Sequence, residues 1–571
     1  MELAYAFKRA SQIDDRFDRT SLSFSPDLKR QPTYFSGELR KSVAFREAIS
    51  ALHDIVVSDL RFKPKDKTAY KEWAATQELV DLAEVAKDRA GVAAQIESLT
   101  RKIGELQRRR AHRMAPFYRA QKAYFDYLYK NDRDAWIVLD PVITVHPDEV
   151  FFECFSQDES TYGRLGASLD VFKNVGTFAC GTTNIDYSTP LYEEFQKIRS
   201  YKTTRFEVDP SGFEVKTTGE ETYEEKKIDL PDSWVRGFLQ VSSAMALPAR
   251  SFELHPMDLH NLCFVLRRKR EKRGPRALRW VLTPGEPIRA VFEPWDLTVV
   301  CARSPYLGKE REEIRVWGRR RLLTLERLIA ITDKLTVHLL GQGLPSFYVA
   351  DLGDMSFTLG LSGWTRNDWA TAGNFDLLAP RADTDDFTKR RVFEGLKTTW
   401  FSDTDALAKK LDLPRSAVLG ALSSWTQAGR AMYDLNKGVY RVRELAREPL
   451  PMDKLRFSNE REEKATRFLD ARAVTVASRA LPDAALGLFG TVKDGKHTHQ
   501  ADLTIDADGR LAKATCTCNF FQQNKLLKGP CEHMLATRLF EGAPLLARVF
   551  ASSLSPPSSR QSSSIARGPY R

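Results

Sequence analysis

The sequence predicts an α+β protein of several domains, and three observations carry that reading. The chain has 571 residues, several times the size of an ordinary domain. Its apolar share of 42% and aromatic share of 11% are those of a chain that buries a core. Its middle alternates β-rich runs with Pro, Gly and Asp turns, while runs of helical periodicity lie on both sides. On these grounds the chain divides into five parts. Residues 1–134 form a helical N-terminal region and residues 135–395 an α+β body of unassigned type. Residues 396–446 form a helix-turn-helix module with a hairpin, residues 447–550 a metal module, and residues 551–571 a Ser/Pro-rich tail expected to be disordered.

In the first part, Phe45, Ile49, Leu52 and Ile55 recur at helical spacing, so Phe45–Leu60 is expected to be a packing helix with His53 a structural residue. Between 69 and 129, Val92, Ile96, Leu99, Ile103 and Leu106 form a short heptad seam interrupted by Gly104. That seam predicts a helical hairpin or short coiled coil. The cations Arg108–Arg110, Arg113, Arg119 and Lys122 precede Tyr124, Tyr127 and Tyr129, a pattern that suits either a solvated helix face or nucleic acid.

In the body, Glu149–Cys154, Arg205–Val208, Asn261–Leu266, Arg279–Leu282 and Leu297–Val300 read as strands, with helices over Thr189–Tyr201 and Trp234–Ala244. The run Arg267, Arg268, Lys269 and Arg270 then falls in an exposed loop between strands, where it could grip phosphates. Arg319–Leu340 reads as a helix running into a strand, with His338 structural. No phosphate-binding loop, dinucleotide fingerprint, His-Glu-x-x-His or Gly-x-Ser-x-Gly motif is present. Cys180 before Gly181 is the nearest thing to a nucleophile and lacks a recognisable partner, so no enzyme activity is expected.

From 396, Asp403 or Thr404 can cap a helix through Leu411, and Asp412-Leu-Pro414 makes a turn. A second helix carries Val418, Leu422 and Trp425 on one face, and two short strands follow around Asn436-Lys-Gly438. Helix, turn, helix and hairpin describe a winged helix-turn-helix. Its candidate nucleic-acid contacts are Arg415 and Ser416 on the second helix, with Lys437, Arg441 and Arg443 on the wing. They are few for a base-reading surface, so the module suits docking to protein as well as binding DNA.

Near the C-terminus, Cys516-x-Cys518 and Cys531-x-His533 are separated by a twelve-residue gap. Three thiolates and an imidazole complete a tetrahedral zinc set with no open position, so the metal is structural. Leu486–Val492, Thr498–Ile505 and Leu511–Cys516 are expected strands, turned at Asp494-Gly495 and Asp508-Gly509. A lead-in helix is expected over Arg461–Asp470, and Glu532–Phe540 reads as a helix with Cys531 and His533 at its first turn.

This order and spacing resembles the SWIM zinc finger, and the layout of the chain resembles bacterial SWIM zinc finger family proteins. The resemblance implies one structural Zn2+ held by Cys516, Cys518, Cys531 and His533, in a module that binds DNA or another protein. Related bacterial proteins look like members of systems with MoxR-type AAA ATPases and von Willebrand A domain proteins, which makes an adaptor the alternative role. An enzyme within 135–395 is the third. A net charge of +11 permits nucleic-acid binding. Sparse cysteines, no signal-peptide core in the first residues and no apolar run of spanning length lead to an expectation of a cytoplasmic protein without a membrane segment or a small-molecule substrate.

Overall fold

The computed structural model describes residues 12–15, 19–24, 33–58, 141–184, 195–196, 198–201, 203–208, 232–270, 276–363, 368–370, 375–378, 384–445, 460–482, 485–506, 510–526 and 528–540. The expected helical hairpin over 69–129, most of the helix expected over Thr189–Tyr201, and the tail from 551 lie outside them.

The centre is an eight-stranded antiparallel sheet. Its order is Arg250–Leu254, Lys334–Leu339, Ser346–Asp351, Met355–Leu361, Thr161–Ser168, Glu149–Phe155, Val142–Val145 and Gly181–Asn184. Both faces of the middle strands are covered, and every residue of Glu149–Phe155 and of Met355–Leu361 is buried. That is why these segments read as continuous apolar runs rather than alternating ones. The helix Ser42–Val56 packs on one face, where Phe45 meets Phe152 edge to face with ring centroids 6.2 Å apart. His53 of this helix is buried and its pKa is lowered to about 4, first by burial and then by Arg327, so it sits neutral in the core.

Two smaller sheets flank the centre. One joins Gln12–Asp15, Arg19–Phe24, Thr203–Val208, Phe35–Leu39 and Phe172–Lys173, with a single parallel pair between Arg19–Phe24 and Thr203–Val208. The N-terminal part, expected to be helical, therefore supplies three strands as well as a helix among its described residues. The other sheet is antiparallel, in the order Leu297–Pro305, Pro287–Phe292, Leu278–Leu282 and Glu312–Val316.

Between them the chain departs from expectation at Asn261–Leu266, which lies in the helix Pro256–Arg268 and not in a strand. The signals were local ones. Pro256 occupies the first turn, where a missing N–H costs nothing, and the His255 side chain caps the Met257 amide at 3.1 Å. Arg319–Ile331 forms 3₁₀-helical turns before the expected strand Lys334–Leu339. The helix expected over Trp234–Ala244 spans Asp232–Met245.

Residues 386–445 follow as helices Asp386–Thr399, Thr404–Leu411 and Arg415–Gln427 with a three-stranded sheet of Phe401–Ser402, Val439–Val442 and Ala431–Asp434. Asp403 caps the second helix through the Ala406 amide at 2.8 Å, as its position suggested. Val392, Leu396, Leu407, Val418, Leu422 and Val442 close its own small core.

A buried ionic network fastens this unit to the central sheet. Arg441, with no exposed surface, donates through both terminal nitrogens to Asp148 (2.8 and 2.9 Å) and through Nε to Asp434 (2.7 Å). Arg443, equally buried, donates to Glu153 at 3.0 Å and covers the Phe238 ring at 4.9 Å. Lys437 reaches Asp148 at 2.8 Å, and Arg164 of the sheet pairs with Glu149 and with Asp434. His146 completes the joint. Its Nε2 lies 2.6 Å from the Val442 carbonyl and its Nδ1 faces Arg441 at 3.3 Å. One neutral tautomer satisfies both contacts, with Nε2–H donating and Nδ1 accepting. Burial, reinforced by Arg441, keeps that imidazole neutral by lowering its pKa to about 3.

Removing one member of such a network strands its partners as unpaired buried charge, which costs about 3–5 kcal/mol. Arg441→Met is therefore expected to lower the unfolding free energy by about that amount, read as a shift in the urea midpoint. A surface replacement such as Arg415→Met should leave the midpoint within about 0.5 kcal/mol of the parent. An unchanged midpoint in Arg441→Met would show that the joint is not what holds the unit in place.

Candidate metal centre

The metal ligands come from three short pieces of backbone. Leu511–Cys516 is the edge strand of an antiparallel sheet ordered Val474–Ala480, Leu486–Asp494, His497–Ile505 and Leu511–Cys516. The expected hairpins are present, and Gly495 takes the φ of +58° that the tight turn at Asp494-Gly495 needs. The strand delivers Cys516. Two residues on, Cys518 caps a short helix, Asn519–Asn524, which the sequence reading did not anticipate; its sulfur accepts the Phe521 amide at 3.4 Å. Gln522 holds the Cys516 carbonyl at 3.0 Å, which folds the helix back over the strand end.

Cys531 and His533 come from the start of the helix over 532–540, where the Leu535 amide bonds to the Cys531 carbonyl at 3.1 Å. This helix lies directly on the sheet because Gly490 has no side chain: a Cβ there would sit 2.0 Å from the Thr537 hydroxyl. Thr537 in turn bonds to the His533 carbonyl at 2.8 Å. The lead-in helix spans Glu460–Asp470, and its Arg461 grips the carbonyls of Lys528 (2.7 Å) and Pro530 (2.9 Å) just ahead of Cys531.

Cys516, Cys518, Cys531 and His533 are all buried, and their ligand atoms lie within 4.8 Å of one another. Both ring nitrogens of His533 are buried without a hydrogen-bond partner among the described residues. The crowded thiols compete for protons. Hydrogen bonding from Cys531 pulls Cys516 down to about 4 and Cys518 to about 7, while Cys531 is pushed far up. A site that would otherwise share protons among sulfur atoms is one that a divalent ion neutralises. Three sulfurs and one imidazole, closed to further ligands, fit one structural zinc ion.

Three residues around the imidazole were not anticipated as parts of the site. Phe468 of the lead-in helix stacks on the His533 ring, with centroids 5.5 Å apart and planes 15° apart. His499 lies against the ring at 4.3 Å. Asp494 places its carboxylate 3.6 Å from Nε2. Asp494 was legible only as a turn residue, because its proximity to His533 is a matter of tertiary packing. A carboxylate this close to a ligating imidazole favours one ring orientation and raises its basicity.

The other candidate site residues are not gathered here. Arg441 and Arg443 are corrected from exposed wing contacts to buried members of the joint, and Lys437 lies at its rim, because each meets an acid of the central sheet. Arg415 and Ser416 are exposed, with Arg415 paired to Asp405 at 2.9 Å. The helix bearing them, Arg415–Gln427, is packed against Asp232–Met245. Arg267 and Arg268 end a helix instead of lying in a loop, where Arg267 pairs with Glu326 at 2.7 Å and Arg268 covers the Phe264 ring. Lys269 and Arg270 are exposed just beyond. Cys180 is a poor nucleophile, since burial and then Asp148 push its thiol up to about 11.

The family model of the SWIM zinc finger matches residues 501–537, which contain all four ligands. No curated protein matches the chain. Among solved structures, the proliferating cellular nuclear antigen of Entamoeba histolytica is similar at 9% identity and a TM-score of 0.27, over 39% of this chain and 89% of that one. A. fulgidus PCNA, bound to the C-terminal region of FEN-1, is similar at 12% identity and a TM-score of 0.28, over 40% of this chain and 90% of that one. Overlaps this loose carry no argument about fold or role. No helix among the described residues is long and apolar enough to cross a membrane.

Elemental analysis of the purified protein is expected to find one zinc per chain. Cys518→Ser or Cys531→Ser should lose it and loosen the C-terminal module while the central sheet stays folded, because ligation and folding are coupled in small metal sites. Stoichiometric zinc in a Cys516→Ser/Cys518→Ser double variant would contradict the ligand assignment.

Asp494→Asn keeps a residue suited to the turn and removes the charge facing His533. It is expected to weaken zinc retention by about 10- to 100-fold in competition with a chromophoric chelator. Equal retention would mean that Asp494 does not support the ligand.

Proposed function

We propose that the protein is a non-enzymatic, zinc-stabilised nucleic-acid-binding protein that works through its C-terminal module. The observation supporting this reading is the closed Cys516, Cys518, Cys531, His533 set inside a segment matching the SWIM zinc finger. A metal with four protein ligands offers no position to a substrate, so it serves to shape a surface. The chain around it carries a net charge of +11, which favours a polyanion.

A protein-docking role is the second reading, and one observation favours it. The unit over 386–445 buries Arg441 and Arg443 of its wing and one side of its Arg415–Gln427 helix against the rest of the chain. A unit used that way inside one molecule is built for protein contact. Under this reading the protein is an adaptor, of the kind that works beside an ATPase of the MoxR type and a von Willebrand A domain protein.

The two readings separate on salt. Nucleic-acid affinity falls with ionic strength because each phosphate contact releases counterions. Zinc-loaded protein is expected to bind labelled DNA in the micromolar range or tighter at 50 mM salt. Raising the salt to 200 mM should weaken that affinity by a factor of at least about ten. No salt-sensitive binding to single-stranded or duplex DNA, together with co-purification of a protein that survives nuclease treatment, would replace this reading with the adaptor.

A further inference from the structure

The sheet of the metal module has two unlike faces. Strand pleating sends alternate residues to opposite sides. One set, including Val474, Leu488, Val492, Ala501, Leu503 and Cys516, is buried toward the helices and the metal ligands. The other set is mostly uncovered, with Gly487 the buried exception in its rows. Register aligns Ala477, Phe489, Asp502 and Thr515 in one row across all four strands. The next rows along the strands are Arg479, Gly487, Thr504 and Lys513 on one side, and Thr475, Thr491 and Gln500 on the other. Lys493, paired with Thr498, lies beyond those threonines.

Three features of this open face point to one kind of ligand. Phe489 stands at its middle with 47% of its surface exposed, on a strand whose inward neighbours Leu488 and Gly490 are buried. That leaves about half of an aromatic ring facing water in the middle of the sheet. The cations Arg479, Lys493 and Lys513 surround it, all exposed, and none forms an ion pair among the described residues. Asp502 is the one acid in the three rows. Gly487 leaves a gap beside Phe489, across which Arg479 lies. A Cβ at Gly487 would be 3.1 Å from the Arg479 Cγ, and the cleft so formed measures about 270 Å³.

We infer that this outward face binds single-stranded nucleic acid, with a base stacked on Phe489 and phosphates on Arg479, Lys493 and Lys513. The inference rests on the nucleic-acid reading above and names the surface and the form of the ligand. Unstacked bases supply π-faces that every sequence shares, and cations on both sides of the ring can meet the backbone. Arg479 and Lys513 lie one row to one side of Phe489, on the two outer strands, and Lys493 lies four residues along its own strand on the other side, so a single strand crossing the ring meets a cation before and after it. A duplex hides its base faces and could meet only the cations. The surface carries net charge rather than a broad apolar patch, which fits a polyanion better than a protein's apolar anchor.

The test uses the full, zinc-loaded chain with a fluorescein-labelled oligo(dT) of 12 nucleotides, the corresponding oligo(U), and a 12-base-pair duplex. Phe489→Ala is expected to weaken single-strand binding roughly 5- to 150-fold while leaving zinc content unchanged. The salt slope should stay the same, since no phosphate contact is lost. Phe489→Tyr should retain affinity. The triple change Arg479→Ala, Lys493→Ala and Lys513→Ala should flatten the slope of log affinity against log salt by about 2.

If single strands bind but Phe489→Ala and the triple variant both bind like the parent, the inference is overturned and the nucleic-acid reading stands with another surface. Preference for the duplex over single strands would overturn it in the same way. If none of the three probes binds, the broader reading falls as well.

Discussion

Everything in the middle of this molecule depends on the rule that a charge removed from water must find its counter-charge. Four cations, Arg164, Lys437, Arg441 and Arg443, meet four acids, Asp148, Glu149, Glu153 and Asp434, where the 386–445 unit seats on the central sheet. Water is excluded from most of this joint, so the charges are held in one arrangement by one another. Apolar packing alone tolerates sliding, whereas a bidentate Arg441–Asp148 pair allows a single register. His146 adds to the specificity, because its neutral ring links the wing backbone to Arg441 only in the seated position. The hairpin that might have projected into a groove of DNA is thereby a structural peg.

With that unit committed to the interior, the burden of recognition moves to the C-terminal end. There the chain uses a different economy of contacts. The buried residues of the module divide between a small cluster of its own, Ala465, Val474, Val492, Leu535 and Ala536, and the large central cluster, which takes in Leu488, Ala501, Leu503, Phe521 and Met534. Cross-linking through Cys516, Cys518, Cys531 and His533 adds a local clamp to this packing, on the buried side of the sheet where Cys516 lies. The opposite side is left free of structural duty. Arg510, at the end of the second turn, bonds to the Ala246 carbonyl at 3.1 Å and ties the module to the rest of the chain.

Legibility in the sequence followed the range over which each interaction acts. Metal ligation is local: Cys516 to His533 lie within eighteen residues, so spacing alone revealed the donor set. Turn chemistry is local too, and Asp494-Gly495 marked its hairpin correctly. The caps at Asp403 and His255 were equally present in the sequence, yet only the first was read. The run Asn261–Leu266 reads as a strand because six residues cannot distinguish the two periods, and Phe264, which the helix leaves half exposed, counts in the sequence as one more core residue. Arg441 and Arg443 were misplaced for a stronger reason. Their partners Asp148 and Glu153 lie about 290 residues away, and an arginine bound for a buried pair looks the same as one bound for phosphate. Asp494 and Phe468 beside His533 fall under the same limit, since nothing in the motif announces its supporting shell.

The lead-in helix Glu460–Asp470 bears on how large the working unit is. The matched segment, residues 501–537, contains the ligands, but Phe468 stacks on the ligating ring and Arg461 secures the loop before Cys531 from outside it. Strand Leu486–Asp494, with Gly490 and Val492, also lies outside it and forms the floor on which the ligand-bearing helix rests. The matched segment is thus the part that grasps the ion. The part that gives the grasp its rigidity begins about forty residues upstream, so a fragment cut to the matched segment would keep the ion's ligands and lose their aromatic lid and flat floor.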